Sequence, residues 1–251
     1  MVVTSDLPTE ISTMNEFVQI GNFQVPPAEL VPLLKRYQLL PGMLRELAID
    51  LAIAEVECST DEQMSALKQF YDRYQLTDEG RLEQWLKAYG LERSSLSEIA
   101  IRNFKIDKFK QQTWGNKVGS YFLKRKAQLD RAIYSLIRTS DIGIAQEIYF
   151  RSIEGEQTFE EIARQYSQGA ESKTGGLIGP VELSTPHPAI AQLIMTQPIG
   201  QVCRPVQLEQ WFVIIRPEQI IPAQLDEPMR QRLIDELFQT WLQEQLTIDR
   251  Y

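Results

Sequence analysis

The spacing of apolar residues changes twice along this chain, and this change limits the folds that the chain can adopt. From Pro26 to Asp130 apolar residues recur at helical spacing. From there to about Pro217, short runs of β-branched and aromatic residues alternate with clusters of Gly, Pro, Ser and Thr, which is typical of strands and loops. Helical spacing then returns. The pattern predicts an α+β fold in which helices flank a small antiparallel sheet.

This pattern divides the chain into four segments. They are an N-terminal extension (1–25), a helical domain (26–129), a sheet-containing domain (130–218) and a C-terminal helical segment (219–251). In the sheet-containing domain the signals run in the order strand, helix, helix, short strand, helix, strand, strand. We therefore expect the sheet to be built by one part of the chain, between two helical parts.

The strands of that domain can be placed approximately from their residue types. The run AIYSLIRT, ending at Thr139, predicts the first strand, and a brief extended piece is expected around Leu177. Two further strands are predicted over 202–208 and 211–216, on either side of a turn.

Capping signals mark two helix starts and one helix end. Ser59 with Glu62, and Thr158 with Glu161, have the spacing of capping boxes, so we expect a helix to begin after each Ser or Thr. Gly90 follows a helical run and is a natural C-terminal stop.

The C-terminal segment carries an apolar stripe that is too wide to be left in water. It consists of two adjacent rows, Met229, Leu233, Leu237 and Trp241, and Ile234, Phe238 and Leu242. The nearest apolar surface in the chain belongs to the N-terminal helices. We therefore predict that the C-terminal helix packs against helices lying between Leu40 and Tyr89.

Composition argues against several classes of function. There are 26 basic and 34 acidic residues, giving a net charge of -8, which disfavours a general nucleic-acid binder. The lone His187 and the two isolated cysteines, Cys58 and Cys203, form no metal-binding or disulfide pattern, so we expect no metal and no cofactor. The N-terminal residues lack the pattern of a secretory signal, and no apolar run is long enough for a membrane span, so we expect a cytoplasmic protein.

The sheet-containing domain resembles the parvulin type of peptidyl-prolyl isomerase, the PpiC-like rotamases. The resemblance rests on five short motifs that follow one another in the family order. They are Tyr166-Ser167, Gly175-Gly176-Leu177-Ile178-Gly179, the helix from Ile190 to Met195, Pro205-Val206 and Ile214-Ile215-Arg216. The helical flanks resemble the chaperone-like frame of foldases related to SurA and PrsA.

This resemblance implies a set of site positions. The three polar positions of the family's catalytic centre fall on Tyr134, Gly169 and Val213, where the family has His, Cys or Asp, and His. All three are substituted here. The family's substrate-binding wall and its border fall on Ile178, Pro186, His187, Ile190 and Met195. We expect this wall to lack an aromatic ring and so to hold a proline ring less firmly.

The function that the resemblance implies is that of a foldase acting on unfolded or proline-containing polypeptides. Prolyl isomerisation needs neither a nucleophile nor a metal, because its barrier of roughly 18–20 kcal/mol arises from double-bond character in the C–N bond. An enzyme accelerates it by binding the twisted amide more tightly than the planar one. With the polar positions substituted, we expect weak catalysis. The alternative is a non-catalytic peptide-binding chaperone or adaptor that serves a secretion or maturation system.

A basic stretch lies between Arg102 and Arg131, with nine Lys or Arg residues against two Asp. In one interpretation it neutralises acidic helices of the same protein. In the other it is an electrostatic surface for an acidic protein client.

Overall fold

The structure, a computed structural model, describes residues 18–20 and 23–248. Most of the predicted N-terminal extension, including the residues inspected for a secretory signal, lies outside this range. Within it, β1 (Val18–Ile20) and β2 (Phe23–Val25) pair as a short antiparallel ladder.

Six helices then follow one another in the described part of the chain. Their bounds are α1 (Pro27–Arg36), α2 (Leu40–Ile53), α3 (Thr60–Arg73), α4 (Glu79–Tyr89), α5 (Ser95–Trp114) and α6 (Val118–Leu129). The predicted capping box of Ser59 and Glu62 is present at the start of α3. Gly90 ends α4 at a φ of 62°, a left-handed conformation in which a glycine has no steric cost.

The second part of the chain contains the predicted sheet. Its elements are β3 (Arg131–Thr139), α7 (Ile142–Glu154), α8 (Phe159–Tyr166), a 3₁₀ helix (Ala170–Thr174), β4 (Leu177–Glu182), α9 (Pro188–Thr196), β5 (Val206–Leu208), β6 (Trp211–Ile221) and α10 (Glu227–Ile248). The strands form one antiparallel sheet in the order β4-β3-β6-β5. The predicted α+β class is confirmed, and the capping box of Thr158 and Glu161 is present at the start of α8.

Two strand bounds differ from the prediction. Strand β5 begins at Val206 rather than at residue 202, and β6 continues to Ile221 rather than ending at residue 216. β6 is longer because its ladder with β3 extends from Phe212 to Ile221, with one register shift. Pro217 lies beside the register shift between the two strands, and prolines inside sheets are found at such irregularities.

The chain folds as two compact units. One unit comprises residues up to 113 together with those from 237 onward, and the other comprises residues 114–236. The segment bounds drawn from the sequence stay predictions. Because α10 begins in the second unit and ends in the first, its two halves have different surroundings.

In the first unit, the end of α10 packs through aromatic rings. The Phe238 ring stacks on Trp241 at 5.8 Å, and Phe109 on α5 lies 6.5 Å and 5.5 Å from these two rings. Arg45 on α2 also donates a hydrogen bond to the Gln239 side chain. The end of α10 therefore contacts α2, which lies within the predicted range of residues 40–89. It also contacts α5, which lies outside that range.

In the second unit, the sheet is covered on both faces. One face packs against α7 and α8 through a cluster that includes Ile137, Ile148, Phe159 and Ile214. The opposite face, which we call the α9 face, packs against α9 and includes Leu136, Ile194 and Ile215. Alternate residues of a strand point to opposite faces, so neighbouring residues such as Leu136 and Ile137 belong to different cores.

Candidate functional site

The α9 face brings together four of the residues singled out by the sequence. Tyr134 on β3 and Val213 on β6 are buried in its core, and Ile178 on β4 and Ile190 on α9 are half-buried against that core. Tyr134 and Ile178 are cross-strand partners, so their side chains emerge side by side. These four residues belong to one apolar cluster, in which the Ile178 and Ile190 side chains are partly exposed.

The other predicted wall residues lie around this surface. Pro186 is half-buried just before α9, and Met195, near the end of α9, is 51% exposed. His187 is exposed and caps α9, because its Nδ1 accepts a hydrogen bond from Ala189 N at 3.2 Å. The assignment of these residues to a binding site stays a prediction.

The expectation that the wall lacks an aromatic ring stays a prediction, but two aromatic residues pack in the same core as Ile178 and Ile190. The Tyr134 ring is part of the buried core of the α9 face, and Trp211 packs against the same core. The family resemblance presented Tyr134 only as a replaced polar residue, although β3 necessarily turns it toward the same face as Leu136. Aromatic rings therefore share a core with the half-buried Ile178 and Ile190, and the Tyr134 ring is almost fully buried in it.

An ion pair occupies the space beside Gly169. Arg138 Nε and Nη2 donate to the two carboxylate oxygens of Glu171 at 2.8 Å and 2.5 Å. A Cβ atom added at Gly169 would lie 2.1 Å from Arg138 Nε and 2.2 Å from Glu171 Oε2. Gly169, one of the three substituted positions, therefore has no room for a side chain while this ion pair is in place.

Sequence reasoning missed this ion pair, although the position of Arg138 on the strand gave a signal. Arg138 lies four residues after Tyr134 on β3 and is the cross-strand partner of Val213 on β6. Residues of equal parity on a strand, and direct cross-strand partners, share a face. Arg138 is therefore on the α9 face, next to two of the three substituted positions.

The Glu171 carboxylate is buried and fully engaged. Its side chain is 3% exposed, and Ser167 Oγ donates to it at 2.7 Å in addition to the bonds from Arg138. Burial favours the protonated carboxyl, but the hydrogen bonds from Arg138 and Ser167 outweigh it, so the pKa of Glu171 lies below its ordinary value. Glu171 is therefore ionised at neutral pH.

This arrangement predicts how stability around β3 depends on pH. Because the folded-state pKa of Glu171 is lowered from about 4.5, its contribution is complete above that pH and is lost as the pH falls through the lower folded-state value. Glu171→Gln should destabilise the region by about 1–3 kcal/mol at pH 7, since it leaves Arg138 without its charged acceptor. The difference from wild type should shrink at pH 3.5. Amide hydrogen exchange in β3 measures it.

Glu160→Gln is the matched control for this test. Glu160 pairs with Arg164 on the surface of the same unit, and both side chains are more than half exposed. Exposed pairs contribute about 0–1 kcal/mol, so this variant should exchange almost like wild type. A difference between Glu171→Gln and wild type that is as large at pH 3.5 as at pH 7 would contradict the assignment.

Tyr134 combines a buried ring with a hydroxyl that has no partner in the described part of the chain. The residue is 5% exposed, and no hydrogen bond to its hydroxyl is found among the residues that the structure describes. Burial, together with the nearby Glu171 carboxylate, raises the pKa of Tyr134 above its ordinary value. The hydroxyl therefore keeps its proton at neutral pH and is available as a hydrogen-bond donor.

The basic stretch runs from the first unit into the second, and in each unit several of its residues are paired with acidic residues of that unit. At least five of its nine Lys and Arg residues lie within 4 Å of a carboxylate oxygen in the described part of the chain. The pairs are Arg102 with Glu46 and Asp50, Lys108 with Glu62, Lys110 with Asp107, Arg125 with Glu236, and Lys126 with Asp130. This pairing favours the interpretation in which the stretch neutralises acidic helices of the same protein.

Much of the second unit, including part of the α9 face, matches a known protein family. Residues 138–219 match the family model of the rotamase, PPIC-type PPIASE domain. These residues are a parvulin-type domain. The matched range includes Val213, Ile178 and Ile190, and Tyr134 lies on the same sheet just before it.

The parvulin-type domain also has a curated relative. Over 103 residues, or 38% of this chain, the sequence is 30% identical to the chaperone SurA of Burkholderia mallei (strain ATCC 23344). That match spans 23% of the SurA chain, so most of SurA lies outside the matched region.

Two solved structures show a similar fold over most of the chain. The peptidylprolyl isomerase PrsA from Bacillus anthracis has a TM-score of 0.50 and 22% identity, covering 82% of this chain and 95% of that one. PrsA from Bacillus cereus has a TM-score of 0.51 and 16% identity, covering 93% and 92%. At these identities the likeness concerns the fold alone.

Two further features of the described residues bear on cofactors and membranes. They contain no cluster of three or more His, Cys, Asp or Glu that could hold a metal ion. No helix among them has the length and apolar character needed to cross a bilayer.

Proposed function

We propose that this chain is a foldase that binds proline-containing segments of unfolded polypeptides on the α9 face and accelerates their cis–trans exchange weakly. The observation that carries the proposal is the assembly of Tyr134, Ile178, Ile190 and Val213 on one partly open face of a parvulin-type domain. Apolar and aromatic side chains on a fixed sheet suit a pyrrolidine ring, which offers only C–H surface.

Weak catalysis follows from the chemistry at the three family positions. Val213 and Gly169 offer no polar side-chain atom, and the Tyr134 hydroxyl keeps its proton. An apolar surface binds the planar and twisted forms of a prolyl amide with similar strength, and such uniform binding lowers no barrier. Efficient acceleration would need polar groups that bind the twisted form selectively.

The second candidate is a peptide-binding chaperone or adaptor without catalysis, in a secretion or maturation system. The ion pair that fills the space beside Gly169 favours it, because this space is where the family has a polar side chain.

In either candidate function, the bound polypeptide could be acidic. It would have to use basic residues outside the internal pairs, such as Lys117 and Lys124, which are exposed. The cytoplasmic location stays a prediction.

Peptide titration tests the proposed site. Adding a short neutral X-Pro peptide to the labelled full chain should shift the NMR signals of β4 and α9. Ile190→Ala should weaken binding about 5–10-fold, because a half-buried isoleucine contributes roughly 1–1.5 kcal/mol of apolar contact. Ile199→Ala, which truncates an isoleucine that is 55% exposed in the same unit, should leave the affinity unchanged. Shifts confined to α1–α4 would place the peptide elsewhere and overturn the proposal.

A further inference from the structure

The α9 face carries two groups whose hydrogen-bond donors are not fully used by the protein. Arg138 binds Glu171 through Nε and Nη2, which leaves Nη1 without a partner among the described residues. Its side chain is still 35% exposed. The Tyr134 hydroxyl also lacks a partner within the described part of the chain. Both groups can therefore donate to a bound molecule.

Strand geometry places these groups beside the apolar surface. Tyr134, Leu136 and Arg138 alternate along β3 and so point to one face. The cross-strand partner of Tyr134 on β4 is Ile178, and that of Arg138 on β6 is Val213. A proline ring packed on Ile178 would thus lie beside Tyr134, with Arg138 further along the same strand.

The guanidinium is held in place from several directions. Glu171 binds it with both oxygens, and Ser167 Oγ donates to Glu171 while accepting from the Arg138 backbone N–H at 3.1 Å. Gly169 leaves the space that this pair needs. A two-point bond between planar groups fixes both the position and the plane of the guanidinium. Its unused N–H groups therefore point in a defined direction.

We propose that Tyr134 and Arg138 form a replacement polar centre, in which both donate hydrogen bonds to the X-Pro amide of a bound peptide and Glu171 positions Arg138. This inference rests on the proposed function and names the groups responsible for its weak catalysis. Tyr134 donates to the carbonyl oxygen of residue X and contributes mainly to binding. Arg138 donates to the prolyl nitrogen and contributes mainly to the rate.

The electronic structure of the amide explains this division. In the planar amide the nitrogen lone pair is delocalised into the carbonyl, so the nitrogen accepts no hydrogen bond. Twisting about the C–N bond localises the lone pair on nitrogen. A donor aimed at the nitrogen therefore stabilises the twisted form alone, whereas a donor aimed at the oxygen also stabilises the planar form. No bond is made or broken and no proton is transferred.

Arg138 suits the nitrogen better than Tyr134 does. A charged N–H donor makes a stronger hydrogen bond than a neutral hydroxyl, and a guanidinium already fixed by Glu171 needs no reorganisation during the twist. The Tyr134 hydroxyl can rotate about its C–O bond and adapt to the position of a carbonyl.

Two variants of the full chain separate these roles. Exchange of a short X-Pro peptide is followed by NMR exchange spectroscopy, and affinity by titration. Tyr134→Phe keeps the ring and should weaken binding about 5-fold. Arg138→Lys keeps the charge but loses the planar fork, so it should reduce the acceleration at saturating peptide at least tenfold while changing the affinity less than threefold. Arg164→Lys, an exposed arginine of the same unit, should change neither quantity.

Glu171→Gln tests the positioning role. It should reduce the acceleration at saturation and leave the affinity nearly unchanged, which a general loss of folding would not do. Hydrogen exchange in β3 confirms that each variant is folded. If Arg138→Lys or Glu171→Gln unfolds, two measurements still test the inference. They are the peptide affinity of Tyr134→Phe and the rate of prolyl cis–trans exchange in the presence of the wild-type chain.

Each outcome distinguishes this inference from the proposed function. Two outcomes overturn the replacement centre and leave the binding function standing. In the first, the wild-type chain binds peptide on the α9 face but does not accelerate exchange. In the second, the acceleration is unchanged in Arg138→Lys. An affinity unchanged in Tyr134→Phe also overturns the replacement centre. Absence of binding on the α9 face overturns the proposed function itself.

Discussion

Gly179→Ala is expected to destabilise the parvulin-type domain by about 2–5 kcal/mol, because it combines backbone strain with a backbone clash. Gly179 has a φ of +112°, a conformation that residues with a Cβ rarely adopt. An added Cβ would lie 2.4 Å from the carbonyl oxygen of Ala132 and 3.1 Å from the Cα of Ile133. Neither of these backbone atoms can move away without displacing β3 from β4.

The strand register explains why the chain needs a glycine there. Ala132 pairs with Val181 and Tyr134 pairs with Ile178, so the ladder between β3 and β4 is irregular at the intervening residues, which include Gly179. Such irregularities force unusual backbone angles and close approaches between strands. Relieving the clash would also shift Ile178, so peptide binding on the α9 face should fall together with stability.

Gly119→Ala is the control for this prediction. Gly119 lies within α6 in the same unit, and a Cβ added there would have no neighbour within 4 Å. Alanine should therefore stabilise its helix by about 0.5–1 kcal/mol. Thermal and urea denaturation of both variants measure the difference. A Gly179→Ala chain within about 1 kcal/mol of wild type would show that β4 can accept a side chain at this position.

The elements of this fold were predictable where the signal is local. The capping boxes at Ser59 and Thr158 each depend on a side chain and a backbone N–H three residues away, and both are present. The first strand of the sheet was predictable for a similar reason, because AIYSLIRT has the residue types of a buried strand between two turns. Strand pairing then depends on distant partners. The sequence therefore predicted β6 as five residues shorter than its ladder with β3 makes it.

The candidate site was predictable as a set of positions but not as a set of contacts. Family order placed Tyr134, Ile178 and Val213, and the structure brings them to one face. The Arg138–Glu171 pair was missed because its two members are 33 residues apart and neither is a family site position. The sequence signals this pair only through a residue without a side chain, Gly169, which leaves the space that the pair occupies. A glycine with φ near −108° is not required by its own backbone, so only its neighbours explain it.

The terminal helix gives the second large effect. Phe238→Ala should lower the free energy of unfolding of the first unit by about 3–5 kcal/mol, the usual cost of truncating a buried phenylalanine. Phe238 is 3% exposed, and its ring contacts Trp241 at 5.8 Å and Phe109 at 6.5 Å, with Lys110 Nζ 4.9 Å from its centroid. Truncation removes all three contacts and leaves a cavity that the close-packed surroundings cannot easily fill.

Leu51→Ala is the matched control, because Leu51 lies on α2 in the same unit and is 80% exposed. Its truncation should change stability by less than about 0.5 kcal/mol. Urea denaturation gives the free energies. Loss of the stacked ring should also expose Trp241 to water and shift its share of the emission to longer wavelength, above the background of the other three tryptophans. If Phe238→Ala unfolded at the same urea concentration as Leu51→Ala, the aromatic cluster would not hold the end of α10. The apolar stripe would then owe its stability to the fully buried Leu233, Ile234 and Leu242.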